Sequence, residues 1–556
     1  AFSILLPSGM IRRFLVSCIP LAAVLIFAGC AKNDPGSSGY DAPIDADGKK
    51  LMVWNVGNGA EPQDLDPQVV TGVPENNILM GLFEGLVSAN PKDLSPAPGM
   101  AESWNISDDG LVYTFQLRDA AKWSDGSRII ADDFVQSYQR MLTPEFAAEY
   151  SYLLWFVVGA EEYNNGQLND FSQVGFKALD NQTLEVTLKN PTPFLLSLIS
   201  SHYAWYPVPI KVISKFGSLT GKSTRWTKPE NMVSNGPFRL TEWVPNQRIV
   251  MERNPHYWDA ETVKLDQIRF YPTEDISTEE RSFRTGQLHK TRELPASKID
   301  TYREKYPESL RIEPYLGIYY YRLNITRPPL DDKRVRKALA LAIDRESLVR
   351  NVTRGGQDPA YAVSYPGTAG YTPRAKLTGD LAEAKRLLSE AGFPNGENWP
   401  EVELLYNTSE NHRAIAEAIQ HMWRRDLGIE VQLTNKEWKV YLDSQDTGEF
   451  WIQRAGWIAD YVDPNVFLEI WTSGNLNNDT GWSNTEYDRL ADTALATPNQ
   501  AERYEIYQQM DEILVEEMPV IPIYYYKSVY ALSPKVKGYW PTLLDNHPYK
   551  YIYLED

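Results

Sequence analysis

Residues 413–427 carry apolar side chains at helical spacing, stop at Gly428 and give way to a strand-like stretch at 430–433. The same order recurs at 332–342, where Val335, Leu339, Ala342 and Ile343 share a helix face, and at 381–391 before Gly392. Helix, glycine and strand in alternation predict an α/β sheet. Strands are also expected at 51–56, 113–117, 183–188 and 520–526, with helices at 81–86, 131–141 and 501–517. The Asp125-Gly126 pair reads as a turn. A chain of 556 residues holds about three or four domain-sized units.

Composition narrows the function. Hydrophobic residues are 43% and charged residues 23%, the proportions of a globular chain rather than a disordered one. The formal charge of −19 repels phosphate backbones, so nucleic-acid binding is not expected. The 33 Tyr and 16 Trp supply apolar faces with polar tips, the side chains of recognition surfaces and equally of cores.

Both cysteines, Cys18 and Cys30, fall in the first 30 residues, so no disulfide or thiolate metal site can form beyond them. Arg12 and Arg13 precede a short apolar run at 14–29, right for a signal-peptide core spanning residues 10–29. The run ends Phe27-Ala28-Gly29-Cys30, which resembles a bacterial lipoprotein cleavage box with Cys30 as the lipidated residue. Residues 30–48 are rich in Gly, Ser, Asp and Ala and read as a flexible tether. The expectation is a lipid-anchored protein at a membrane surface in the periplasm or on the cell surface.

Chemistry-bearing motifs are scarce. Six scattered histidines form no His-Glu-x-x-His pair, and there is no Gly-x-Ser-x-Gly elbow. Gly217 to Ser223 has three residues between its glycines where a phosphate loop needs four. No metal, cofactor or catalytic residue is expected.

Several ordered stretches carry more information: Leu65-Asp66-Pro67, Gly72-Val73-Pro74-Glu75, Leu82-Phe83-Glu84-Gly85-Leu86 and Pro98-Gly99-Met100-Ala101-Glu102-Ser103-Trp104. Further on come Ala121 to Gly126, Asn235-Gly236-Pro237-Phe238, Arg334 to Leu339 with Ile343-Asp344-Arg345, and Arg454 to Tyr461. Together they resemble the oligopeptide- and dipeptide-binding proteins of ABC importers, solute-binding protein family 5, from about Lys50 to the C-terminus.

The resemblance implies a periplasmic-binding-protein-like (type II) α/β fold, with two hinged lobes and an extra smaller domain. Lobe one would take 49–83, 208–316 and 526–556, the extra domain 84–207, and lobe two 317–525. It implies a non-enzymatic monomer that binds peptides and passes them to ABC permease subunits. Gly72, Val73 and Pro74 on one side, and Ala455, Trp457 and Ile458 on the other, match strand edges that hold a peptide backbone. Asp460 matches the carboxylate that takes the ligand ammonium, although an Asp after an apolar strand also closes turns. Arg454 and His412 match positions that meet a ligand carboxylate, with a salt bridge and a helix start as their plain structural readings. Trp438, Trp457 and Tyr320 match or suggest aromatic pocket walls, and core packing explains them equally well. Gly317 and Ile458 replace a cysteine pair of some relatives. Arg322 stands at an often acidic position and Gln287 to Thr291 replaces an acidic turn, so a preference for acidic or neutral peptides is expected. Two other readings remain open: an envelope hydrolase acting on peptides or sugars, and a receptor of the same fold for a restricted ligand such as a murein peptide.

Overall fold

The structure, a computed structural model, describes residues 43–44, 47–377 and 380–555. The leader at 10–29, Cys30 and the tether up to residue 42 lie outside the described residues.

Three larger sheets carry the architecture. The first places Val53–Gly57 parallel to Gln267–Tyr271, followed antiparallel by Arg248–Arg253 and Phe238–Val244. The second is antiparallel, in the order Ala101–Ile106, Val112–Leu117, Thr183–Thr187, Phe176–Ala178. The third is mixed and six-stranded: Asp358–Pro359, Val520–Ala531, Leu310–Leu323, Ile452–Ile458, Glu403–Asn407 and Gln432–Lys436. Helices Lys333–Leu341, Leu381–Glu390 and Glu410–Leu427 cover one face of this sheet, burying Val335, Leu339, Leu388 and Ile419 with Tyr319 and Tyr321. The alternate residues Ile318 and Tyr320 join the larger core on the other face.

The expected α/β alternation is present, with shifts that have physical causes. The strand expected at 430–433 forms at Gln432–Lys436, and the strand expected at 520–526 runs on to Ala531. The helix expected at 81–86 is corrected: a helix runs Val73–Leu82 and ends there. Residues 82–84 turn away because their backbone is claimed from far along the chain. Gly236 donates its amide to the Leu82 carbonyl at 2.7 Å, and Asn235 brackets Glu84, accepting from its amide at 3.1 Å and donating to its carbonyl at 2.8 Å. A Cβ on Gly236 would lie 2.6 Å from backbone atoms of Leu82 and Phe83, so this crossing requires glycine. Two of the ordered sequence motifs are thus the two halves of one joint.

A third motif anchors the same region. Asp66 accepts from Arg140 at 2.7 and 3.2 Å and from the Trp226 indole at 3.2 Å, and the Asp66 and Arg140 side chains are 3% and 1% exposed. Arg140 lies on helix Ala131–Leu142, so the pair ties this helix to the chain just before Gly72. Asp66→Asn leaves the guanidinium buried without its counter-charge, and urea unfolding is expected to show a loss of about 3–5 kcal/mol. An unchanged midpoint would contradict that role for the pair.

Candidate functional site

The third sheet contains an open edge. Ile452–Ile458 pairs antiparallel with Leu310–Leu323 along its whole length, but its parallel pairing with Glu403–Asn407 is limited to Ile452 and Gln453. The Ala459 amide donates to the Leu316 carbonyl at 2.8 Å, so Ile458, Gly456 and Arg454 turn their amides and carbonyls the other way. The Arg454 carbonyl accepts there from the Tyr441 hydroxyl. Across the gap lie Thr71, the extended N-cap residue Gly72 and Val73, the first residue of helix Val73–Leu82. Two adjoining cavities, of about 250 and 150 Å³, occupy the cleft. Both are lined by Thr71, Gly72 and Val73 and by Trp438, Arg454, Gly456 and Ile458. Pro74 lines the larger only, and Ala455, Trp457 and Asp460 the smaller only. Side chains at the two glycines would obstruct the cleft wall: a Cβ on Gly72 would collide with Glu75, and one on Gly456 would lie 2.6 Å from the Tyr526 hydroxyl.

Asp460 closes one end. Its Oδ1 lies 3.2 Å from His202 Nε2, its Oδ2 is buried without a hydrogen-bond partner, and the side chain is 9% exposed. His202 Nδ1 accepts from the Ala204 amide at 3.1 Å, which places the proton of the neutral ring on Nε2, facing Asp460. The Tyr150 ring stands edge-on to His202, with centroids 4.4 Å apart. One carboxylate oxygen is therefore oriented by the protein and the other is left for a donor, the arrangement an ammonium group needs.

Arg454 and His412 lie at the other end. Arg454 donates to the Tyr526 hydroxyl at 2.7 Å and to Asn407 Oδ1 at 3.4 Å, and its guanidinium lies 4.8 Å over the Tyr319 ring. Its Nε has no partner, and among the described residues no carboxylate lies within 4 Å of it. Burial opposes its charge, but the facing Tyr526 and Tyr319 hydroxyls more than offset this and hold its pKa above the ordinary value. His412, in the first turn of Glu410–Leu427, is held neutral by burial and then by Arg454 and Arg292, which push its pKa well below the usual value.

The aromatic candidates divide. Trp438 stacks on Tyr441 at 5.6 Å, with its indole N–H buried and unpartnered. Trp457 donates to the Val466 carbonyl at 2.8 Å and presents its ring to Tyr150. Tyr320 lines neither cavity: it is 1% exposed and packs edge-on against Trp471, because alternation along its strand turns it into the core. Arg322 lines the smaller cavity but is paired with Asp479 at 2.8 Å and Gln453 at 2.9 Å, which removes the basis for reading a charge preference from it. Gly317 and Ile458 are cross-strand partners, and the Ile458 side chain fills the space over the glycine. His202, Tyr150 and Arg292 carried no local signal, because only the tertiary fold brings them to the cleft.

The description "Bacterial extracellular solute-binding proteins, family 5 Middle" matches residues 95–479. The periplasmic oligopeptide-binding protein OppA of Salmonella typhimurium is 36% identical over 548 residues, 96% of this chain and 98% of OppA. The crystal structure of Haemophilus influenzae OppA in complex with RPPGFSPFR superposes with a TM-score of 0.86 at 33% identity, covering 91% of this chain and all of that one. Against the unliganded open form of the murein tripeptide-binding protein MppA, an Escherichia coli protein, the TM-score is 0.60 at 34% identity, covering 91% and 98%. At nearly the same identity, this structure thus superposes better on the peptide complex than on the open form. The fold is the two-lobed, type II periplasmic-binding-protein architecture.

Three carboxyls that folding shields from water generate a pH dependence. Burial pushes Glu75 up to about 7 and Glu279 up to about 7, while burial with Asp446 and Asp479 pushes Glu149 up to about 8. Groups raised on folding stabilise fully below their unfolded value, and that stability is lost as pH rises through the folded one. The melting temperature is expected to fall between pH 5 and pH 8. Glu149→Gln should melt above the parent at pH 8 and with it near pH 5; parallel curves at both pH values would remove Glu149 from the explanation.

Proposed function

The chain belongs to the bacterial extracellular solute-binding proteins of family 5, and from that premise we propose that it captures peptides between its two lobes and delivers them to the permease of an ABC importer. The ligand backbone adds as a strand between Thr71–Val73 and the open edge of Arg454–Ile458. Its ammonium meets Asp460 Oδ2, and its carboxylate lies toward Arg454 and His412. Trp438 and Trp457 wall the side-chain pockets, where stacking and water accommodate varied side chains. The observation that carries this reading is the pairing of an unclaimed strand edge with a buried, half-satisfied carboxylate at its end.

In the same proposal, the lobes divide as 49–83 with 208–316 and 526–556, against 317–525, with 84–207 appended to the first. The register shift between Pro314 and Ile318, opposite residues 525–527, supports a crossing near Leu316 and Tyr526. The leader and the Cys30 motif support a lipid anchor in the cell envelope, and the protein acts as a monomer without a cofactor.

Thermal melting of ligand-stripped protein tests the central claim. A peptide pool at one hundred times Kd adds about 2.7 kcal/mol by linkage, and N-acetylation of the pool is expected to abolish the shift. Asp460→Ala, folded but unresponsive to the free pool, is expected likewise. A shift that survives acetylation rejects the ammonium–carboxylate pair, and no shift with any peptide rejects general peptide capture in favour of a restricted ligand.

A further inference from the structure

The larger cavity holds more positive charge than one ligand carboxylate requires. Arg454 contacts only neutral groups, and Arg292, on the opposite wall, also has no carboxylate within 4 Å among the described residues. Arg292, Arg454 and His412 line this one cavity, and the charges of both arginines lower the His412 pKa. A third contribution comes from the 18-residue helix Glu410–Leu427, whose N-terminal residues Ser409, Asn411 and His412 line the same cavity. The positive end of its dipole faces the cavity there. Glu410, its first-turn acid, is turned outward to Ser277.

The acids nearby act on Arg292 through space, with Glu293, Asp545 and Glu279 raising its pKa against burial, but each also holds another partner. Glu293 accepts from Asn411 at 3.4 Å, Glu274 accepts from the Trp438 amide at 3.1 Å, and Glu279 accepts from the Arg292 amide. Asp545 is paired with His547 at 2.7 Å. None of them lies within ion-pair distance of either guanidinium.

We propose that Arg292 and Arg454 form a two-anion subsite, so that the chain selects peptides whose carboxyl-terminal residue is aspartate or glutamate. Arg454 takes the terminal carboxylate and Arg292 the side-chain carboxylate, each as charge-assisted hydrogen bonds. Arg292 is then a specificity-determining residue, and the assignment rests on the peptide-binding reading above.

Calorimetry with matched tri-, tetra- and pentapeptides of alanine ending in Glu or Gln tests it. The parent protein is expected to favour the Glu member of at least one length by about ten-fold or more. In Arg292→Gln that ratio should fall to near one, read from the two peptides on the same variant. Arg292→Met is the second neutral variant should the first fail to bind the neutral peptide, and Arg292→Lys should keep part of the preference. Equal affinity for Glu and Gln endings in the parent, or a ratio unchanged in the neutral variants, overturns the subsite while leaving peptide capture standing. Failure of the parent to bind any member overturns both.

Discussion

One antiparallel ladder, Leu310–Leu323 against Val520–Ala531, runs through both of the proposed lobes and borders the candidate site. Its first stretch, Leu310–Pro314 with Lys527–Ala531, packs beside Phe283, Leu294 and Tyr302. Its second, Ile318–Arg322 with Val520–Tyr525, forms the centre of the six-stranded sheet. Between them the register slips, and at the slip stands Tyr526, close to Gly317 and Gly456 and holding the Arg454 guanidinium through its hydroxyl. A change in the angle of the two stretches therefore moves an arginine in the cleft. Under the proposed division into lobes, the position of this arginine and closure are coupled through the ladder itself.

The cleft as it stands is closed over groups without partners. Asp460 Oδ2, Arg454 Nε, Trp438 Nε1 and Glu75 Oε2 are all buried and unsatisfied by protein. Each such atom costs about 1–3 kcal/mol relative to water. In the proposed reading, a ligand that supplies a donor for Asp460 and an acceptor for Arg454 offsets part of that cost, so that recognition and closure draw on the same terms.

Much of this fold was readable along the chain. Residues 413–427 announced their helix by apolar spacing and Gly428, and Ser409 caps it as the pattern requires. The central strand Leu310–Leu323 gave no such signal, because Tyr315 to Leu323 is buried on both faces and shows no alternation. The run 81–86 misled, since its helical look was overruled by Asn235 and Gly236 from a distant segment. At the site, Asp460, Arg454 and the edge at 455–458 were found through resemblance rather than local chemistry. His202 and Arg292 were not found at all. Their significance lies in what faces them, Asp460 in one case and a cavity already holding Arg454 in the other, and facing is a property of the fold.

Strand addition alone leaves a ligand free to slide, because main-chain hydrogen bonds repeat every two residues and look alike at each step. A slip of one residue would exchange the side chains between the two faces of the added strand. A fixed stop is required if pockets are to see defined positions, and a buried half-satisfied carboxylate is such a stop: only a chain terminus brings an ammonium to it without a side chain in the way. Asp460 sits beyond the last open edge residue, Ile458, and His202 holds one of its oxygens in place. Affinity then resides in the shared backbone and the termini, which every peptide has. Outside the proposed Arg292 subsite, side chains are left to the aromatic walls of Trp438 and Trp457, and these discriminate weakly. Tolerance of sequence and strictness of register are both consequences of placing a buried, half-satisfied carboxylate beyond the end of an open edge.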